Sequence, residues 1–163
     1  MRYLLHTVII LVAFGHLAHA DDILPEAAQK EMNSYVGTWE GTIDLDEKSS
    51  PARWTAAWAP GKQCLVIHEE YDFDDGTNKV TALMGYDRIK KQVVNLGFRT
   101  DGGNRTLTFS KTMTEGKGTG DGADGQTWNS DFIVKRDGDD MIFDFKGTSP
   151  EAKDFSIRLR RKP

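Results

Sequence analysis

The sequence predicts an all-β fold, an antiparallel up-and-down barrel of about nine to ten strands behind one short N-terminal helix. Three observations lead there. From Val36 onward, apolar and polar residues alternate with a period of two, in run after run of about eight to ten residues. Each run closes on Gly, Pro, Asp or Asn, the residues that turn a meander. Ahead of Val36 the rhythm is helical instead, so the change of period marks where a sheet begins. An open sheet of that many strands would leave two unpaired edges, and closure removes both.

Taken in order, the helix comes first. Leu24, Ala28, Met32 and Tyr35 recur at helical spacing, with acids and Pro25 at the start, which predicts an amphipathic helix over about 24–35. It is expected to cover one end of the barrel. The first strand opens at Gly37-Thr38-Trp39-Glu40-Gly41, with Trp39, Gly41, Ile43 and Leu45 on its apolar side, and Ser49-Ser50-Pro51 is read as the turn after it. Trp54, Ala56 and Trp58 face inward on the second strand. The third runs from Gln63 to Asp72 and ends at an Asp75-Gly76 hairpin. The fourth, about 78–87, sets Val80, Ala82, Met84 and Tyr86 on one face, and the fifth, about 91–99, offers Val94, Leu96 and Phe98. Leu107 and Phe109 mark the sixth. The glycine-rich stretch from Glu115 to Gly122 reads as a flexible loop or one weak strand. Trp128, Ser130, Phe132 and Val134, then Met141, Phe143 and Phe145, then Phe155, Ile157 and Leu159 supply the rest. Eight strands already enclose an interior that side chains just fill or that holds one small ligand. The inward aromatic residues here therefore either meet in a solid core or line an apolar pocket.

Length and charge place this barrel in a class. At 163 residues one domain is expected, and 38% hydrophobic content suffices for a core. Arg2, the apolar run Leu4 to Leu17 and Ala18-His19-Ala20 have the anatomy of an export signal cleaved after Ala20. The expected organisation is a signal at 1–20, a helix-bearing segment at 21–36 and the barrel at 37–163. Removing 20 of 163 residues leaves 143, exported to a periplasm or beyond the cell, with His68 as the remaining histidine. The 21 basic and 25 acidic residues are well mixed, so neither a nucleic-acid surface nor, once the signal is gone, integral membrane association is expected. The lone Cys64 cannot form an internal disulfide, and its apolar run suggests a buried, inert thiol.

The motifs resemble those of the calycin superfamily, lipocalin-like barrels in particular. Gly37-Thr38-Trp39 matches the Gly-x-Trp of a lipocalin's first strand, a short helix precedes it, and the meander ends in a strand with Arg158 and Arg160. Over 37–159, with Gly85-Tyr86-Asp87 before a Lys-containing turn, the chain looks like the exported lipocalin-like bacterial domains of unknown function. The resemblance implies a basic residue from a late strand packed over Trp39, here Arg158 or Arg160. Two departures matter. The disulfides of secreted lipocalins are impossible, and the late histidine of haem-binding nitrobindin-like barrels is missing.

The chemistry-bearing residues are sparse. No strained nucleophile turn, zinc ligand set, EF-hand loop or P-loop is present, so no catalytic or metal-ligating set is assigned. The reading is of a module that binds a small apolar or amphipathic molecule, needs no cofactor, and uses Trp39, Trp54, Trp58, His68, Tyr86, Phe98 and Trp128 as its walls. One alternative is an isomerase- or cyclase-like enzyme using His68, Glu70, Asn95 and Arg99. Another is a ligand-free interaction barrel with a packed lumen. Parity on the third strand puts His68 and Glu70 on one face and Glu69 with Ile67 and Tyr71 on the other, leaving open which face is inside. Oligomeric state is not legible.

Overall fold

The computed structural model describes residues 24–73 and 76–163, so the expected signal at 1–20 lies outside the described residues. Helix α1 (Glu26–Asn33) leads into ten strands: β1 (Gly37–Leu45), β2 (Lys48–Trp58), β3 (Cys64–Phe73), β4 (Gly76–Asp87), β5 (Gln92–Arg99), β6 (Asn104–Phe109), β7 (Glu115–Asp121), β8 (Thr127–Asp137), β9 (Asp140–Gly147) and β10 (Phe155–Arg161). Every strand pairs antiparallel with its neighbours in sequence, and β10 closes on β1 through Trp39 opposite Arg161 to Leu45 opposite Phe155. The barrel has no open edge.

Several elements differ in detail from the sequence expectation. The first hairpin turns at Asp46-Glu47, both in the left-handed region (φ 50° and 63°), while Ser49 to Pro51 belong to β2. Pro51 is tolerated because β3 begins to pair with β2 only at Ala52, so the missing proline N–H interrupts no ladder on that side. The glycine-rich segment is a strand, β7. Gly118 and Gly120 are buried under the ring of Trp128, and a Cβ on Gly116 would stand 2.4 Å from Phe132 Cζ. These glycines leave room for bulky side chains on β8.

The phase of β5 is the largest correction. Val93, Asn95 and Gly97 face inward, whereas Leu96 is 47% and Phe98 71% exposed. Cross-strand partners point to the same side, and Ala82 and Met84 of β4, both buried, stand opposite Gly97 and Asn95. On the other side Arg105 and Leu107 of β6 impose the same phase. Two strongly patterned neighbours thus override the apolar series on β5 itself.

Helix α1 covers the end of the barrel where β2–β3, β4–β5, β6–β7 and β8–β9 turn. Met32 and Tyr35 are almost wholly buried, Trp58 Nε1 donates to Asn33 Oδ1 at 2.8 Å, and Arg136 pairs with Glu31 at 2.9 Å. Trp39 Nε1 donates to the Tyr35 carbonyl at 2.9 Å, fixing the exit of the helix onto β1. The guanidinium over Trp39 belongs to Arg161, 4.3 Å from the ring, rather than to Arg158 or Arg160. Those two point outward, to Asp44 and Asp140. Arg161 also donates to the carbonyls of Ser34 and Val36, at 2.7 and 2.5 Å, where the helix leaves backbone oxygens without partners.

Rings fill this half of the barrel. Tyr35 lies 6.2 Å from both Phe109 and Phe143, and Trp54 lies 5.2 Å from Phe143. Phe109, Phe132 and Phe145 follow at 5.2 Å steps towards the opposite end.

Candidate functional site

Beyond Phe145 the interior opens. A cavity of about 970 Å³ occupies the end away from α1, among the turns β1–β2 and β5–β6, the adjoining ends of β3 and β4, and the 148–154 loop between β9 and β10. The barrel is therefore packed solid in one half and hollow in the other. Ile43, Val80, Leu107, Phe145, Phe155 and Ile157 give the cavity its apolar wall. Each is an inward position of a strand whose alternate residues face water.

One side of that wall is polar. Glu69 is 1% exposed, among the few charged groups buried in the described residues. It sits on β3 between inward-facing Ile67 and Tyr71, and it is reached from β6 by Arg105, whose Nη2 donates to Glu69 Oε1. The side chain must cross β5 and β4 to do so. Gly97 makes this possible, since a Cβ there would stand 3.2 Å from both Cγ and Nε of Arg105. Tyr71 Oη donates to Glu69 Oε2 at 2.6 Å and accepts from Trp54 Nε1 at 3.0 Å, so both carboxylate oxygens and the phenol are engaged.

Burial pushes the Tyr71 phenol well above its usual range, and the neighbouring Glu69 charge adds to the effect. For Arg105, burial alone would lower the pKa, but the Glu69 charge and hydrogen bond more than offset it, and the guanidinium stays charged. Tyr71, Arg105 and Ser130 line the cavity, and Ser130 Oγ and Arg105 Nε are buried without a protein partner. At the mouth, Arg99 pairs with Asp101, and Lys153 with Asp46.

The residues expected as walls are distributed over three places. Trp128 lines the cavity, and Trp54 supports it from behind through Tyr71. Trp39, Trp58 and Tyr86 belong to the end that α1 covers. His68 and Phe98 stand on the outer face, where His68 Nδ1 lies 3.3 Å from Thr81 Oγ1. Glu70 is outside as well, paired with Lys79 at 2.8 Å. Of the polar groups in the enzyme alternative, Asn95 is buried with Oδ1 unpartnered, and Arg99 stands at the cavity mouth. Cys64 is half-buried at the start of β3.

Sequence reasoning did not single out Glu69, Tyr71 or Arg105. A signal existed, because Arg105 shares the parity of Leu107 and Phe109, as Glu69 shares that of Ile67 and Tyr71. A charged residue in phase with a buried series needs a partner, and two such residues on nearby strands supply each other.

No family model and no curated protein matches the chain. Among solved structures it is similar to the crystal structure of Rv2717c from M. tuberculosis, with a TM-score of 0.59 and 17% identity, covering 86% of this chain and 100% of that one. A de novo designed fluorescence-activating β-barrel also aligns, with a TM-score of 0.45 and 15% identity over 80% of this chain and 96% of that one. Identities this low speak to the fold alone.

Proposed function

We propose that the barrel is a lipocalin-like binding protein that takes one small amphipathic molecule into its open half. The observation that carries this reading is the cavity of about 970 Å³, apolar over most of its wall and polar at one side. Small-molecule sites have this character, with volumes of roughly 300–1,000 Å³ and a few polar groups that orient the occupant. The Gly37-Thr38-Trp39 opening and the arginine packed over Trp39 support the calycin assignment. Export through the first 20 residues is part of the same proposal and fits a carrier or scavenger. An enzyme built on His68 and Glu70 loses its support, since both side chains face away from the lumen.

Titration with Nile red, an uncharged dye that fluoresces in apolar surroundings, tests the reading. One dye per barrel is expected, and Ala152→Trp, which adds bulk at a cavity-lining position of the 148–154 loop, should weaken it about tenfold or more. That loop residue is half-exposed, so melting should shift little. Absence of saturable dye binding would leave a ligand-free interaction barrel as the better account.

A further inference from the structure

The charges around the cavity say what kind of head group it accepts, if the binding reading above holds. Four basic side chains line it, Lys48, Arg99, Arg105 and Lys153, together with three acids, Asp46, Asp101 and Glu151. Glu69, behind Arg105, makes four acids against four bases. The formal charges of this wall therefore cancel. The deepest pair is the most consequential, because Glu69 is fully buried and the Arg105 side chain is 12% exposed. A carboxylate placed beside Arg105 would meet the Glu69 charge a few ångströms further on, and its lost hydration would go uncompensated.

Hydrogen bonding narrows the choice further. Both oxygens of Glu69 already accept, and Tyr71 donates its proton to Glu69 and accepts from Trp54. The charged group that still reaches the cavity on that side is Arg105, whose side chain is 12% exposed. A guanidinium carries five N–H groups, of which Glu69 is seen to take one, while the unpartnered Ser130 hydroxyl can donate or accept and the unpartnered Asn78 Oδ1 accepts. An occupant therefore engages Arg105 by bringing an acceptor that carries no charge of its own.

We propose that the occupant is an uncharged molecule with an apolar tail and an acceptor head, such as an ester, ketone or amide carbonyl. Glu69 is then the residue that sets this preference, by neutralising Arg105 in advance. Removing its charge should convert the site into one that accepts carboxylates.

The test is displacement of Nile red at pH 8 by methyl decanoate, by decanoate and by chlorodecane, a neutral chain with a poor acceptor. In the wild type methyl decanoate should compete about tenfold or more better than either of the others. In Glu69→Gln, decanoate should gain about tenfold while methyl decanoate changes by less than about threefold. A merely hydrophobic lumen would leave the decanoate-to-ester ratio unchanged by the substitution, which overturns the proposal. Should Glu69→Gln not fold, the wild-type series decides: decanoate or chlorodecane equal to the ester overturns it. Failure of Nile red itself to bind defeats the binding reading, a result distinct from binding with the wrong selectivity.

Discussion

At the scale of single residues, Arg161 shows how one side chain ties three parts together. Its guanidinium lies on Trp39 and donates to two carbonyls at the exit of α1, so β10, β1 and the helix meet there. Truncation in Arg161→Ala removes the ring contact and both charge-assisted bonds, and about 2–3 kcal/mol of stability should be lost in a urea titration. Arg158→Ala, whose group is exposed, should change stability by less than about 1 kcal/mol. The alternation already pointed to Arg161, which continues the series Phe155, Ile157, Leu159, whereas Arg158 and Arg160 fall between its members. What the sequence could not supply was the register that sets Arg161 directly opposite Trp39. Buried tyrosines give a second prediction at this scale. Burial raises Tyr35 from 10.0 to about 12, partly offset by Arg136 above its ring, and Tyr71 is raised as well. A phenol with a raised folded pKa contributes stability that is intact below its unfolded value and is lost as pH climbs through the folded one. Melting temperature should therefore fall between about pH 10 and 12, in step with phenolate absorbance.

At the scale of elements, the helix and most strands were legible because each carries its own pattern. The helix spans Glu26–Asn33, inside the expected 24–35, and its four spaced residues Leu24, Ala28, Met32 and Tyr35 are all buried. β5 was misread in phase and β7 was left open between a loop and one weak strand, both for the same physical reason: beyond Val93 on β5, and all along β7, the inner face lacks large apolar side chains. On β5 the inner positions after Val93 are Asn95 and Gly97, which make room for Arg105 and leave Leu96 and Phe98 outside. On β7 the inner positions are glycines, and the bulk comes from Phe132 and Trp128 on β8. Hydrophobic periodicity is blind to a face whose volume is filled by the neighbouring strand. The claim is testable at Gly116, where a Cβ would stand 2.2 Å from the Thr108 carbonyl oxygen and 2.4 Å from Phe132 Cζ. Gly116→Ala should cost about 3 kcal/mol, because backbone and ring must both move, and Phe132→Leu in the same chain should recover part of it.

At the scale of the whole molecule, closure decides where anything can bind. Each of the ten strands pairs with a neighbour on both sides, so among the described residues no strand lies at the edge of the sheet. Two kinds of apolar surface remain available. One is the cavity; the other is the outer face of β4 and β5, where Leu83 stands opposite Leu96 with Phe98 nearby. That β4 and β5 carry apolar residues was readable, but which of them faced the lumen depended on β4 and β6 together. Because both surfaces can attract an apolar probe, fluorescence alone does not locate it. Methyl-resolved NMR does, through isoleucine, leucine and valine shifts recorded on the barrel with and without methyl decanoate. Saturable shifts are expected at Ile43, Val80, Leu107 and Ile157, which line the cavity, with Leu83 and Leu96 unmoved on the outer face of β4 and β5 and Ile133 unmoved on that of β8. Shifts confined to Leu83, Leu96 and Ile133 would contradict that expectation, placing the binding surface outside the barrel.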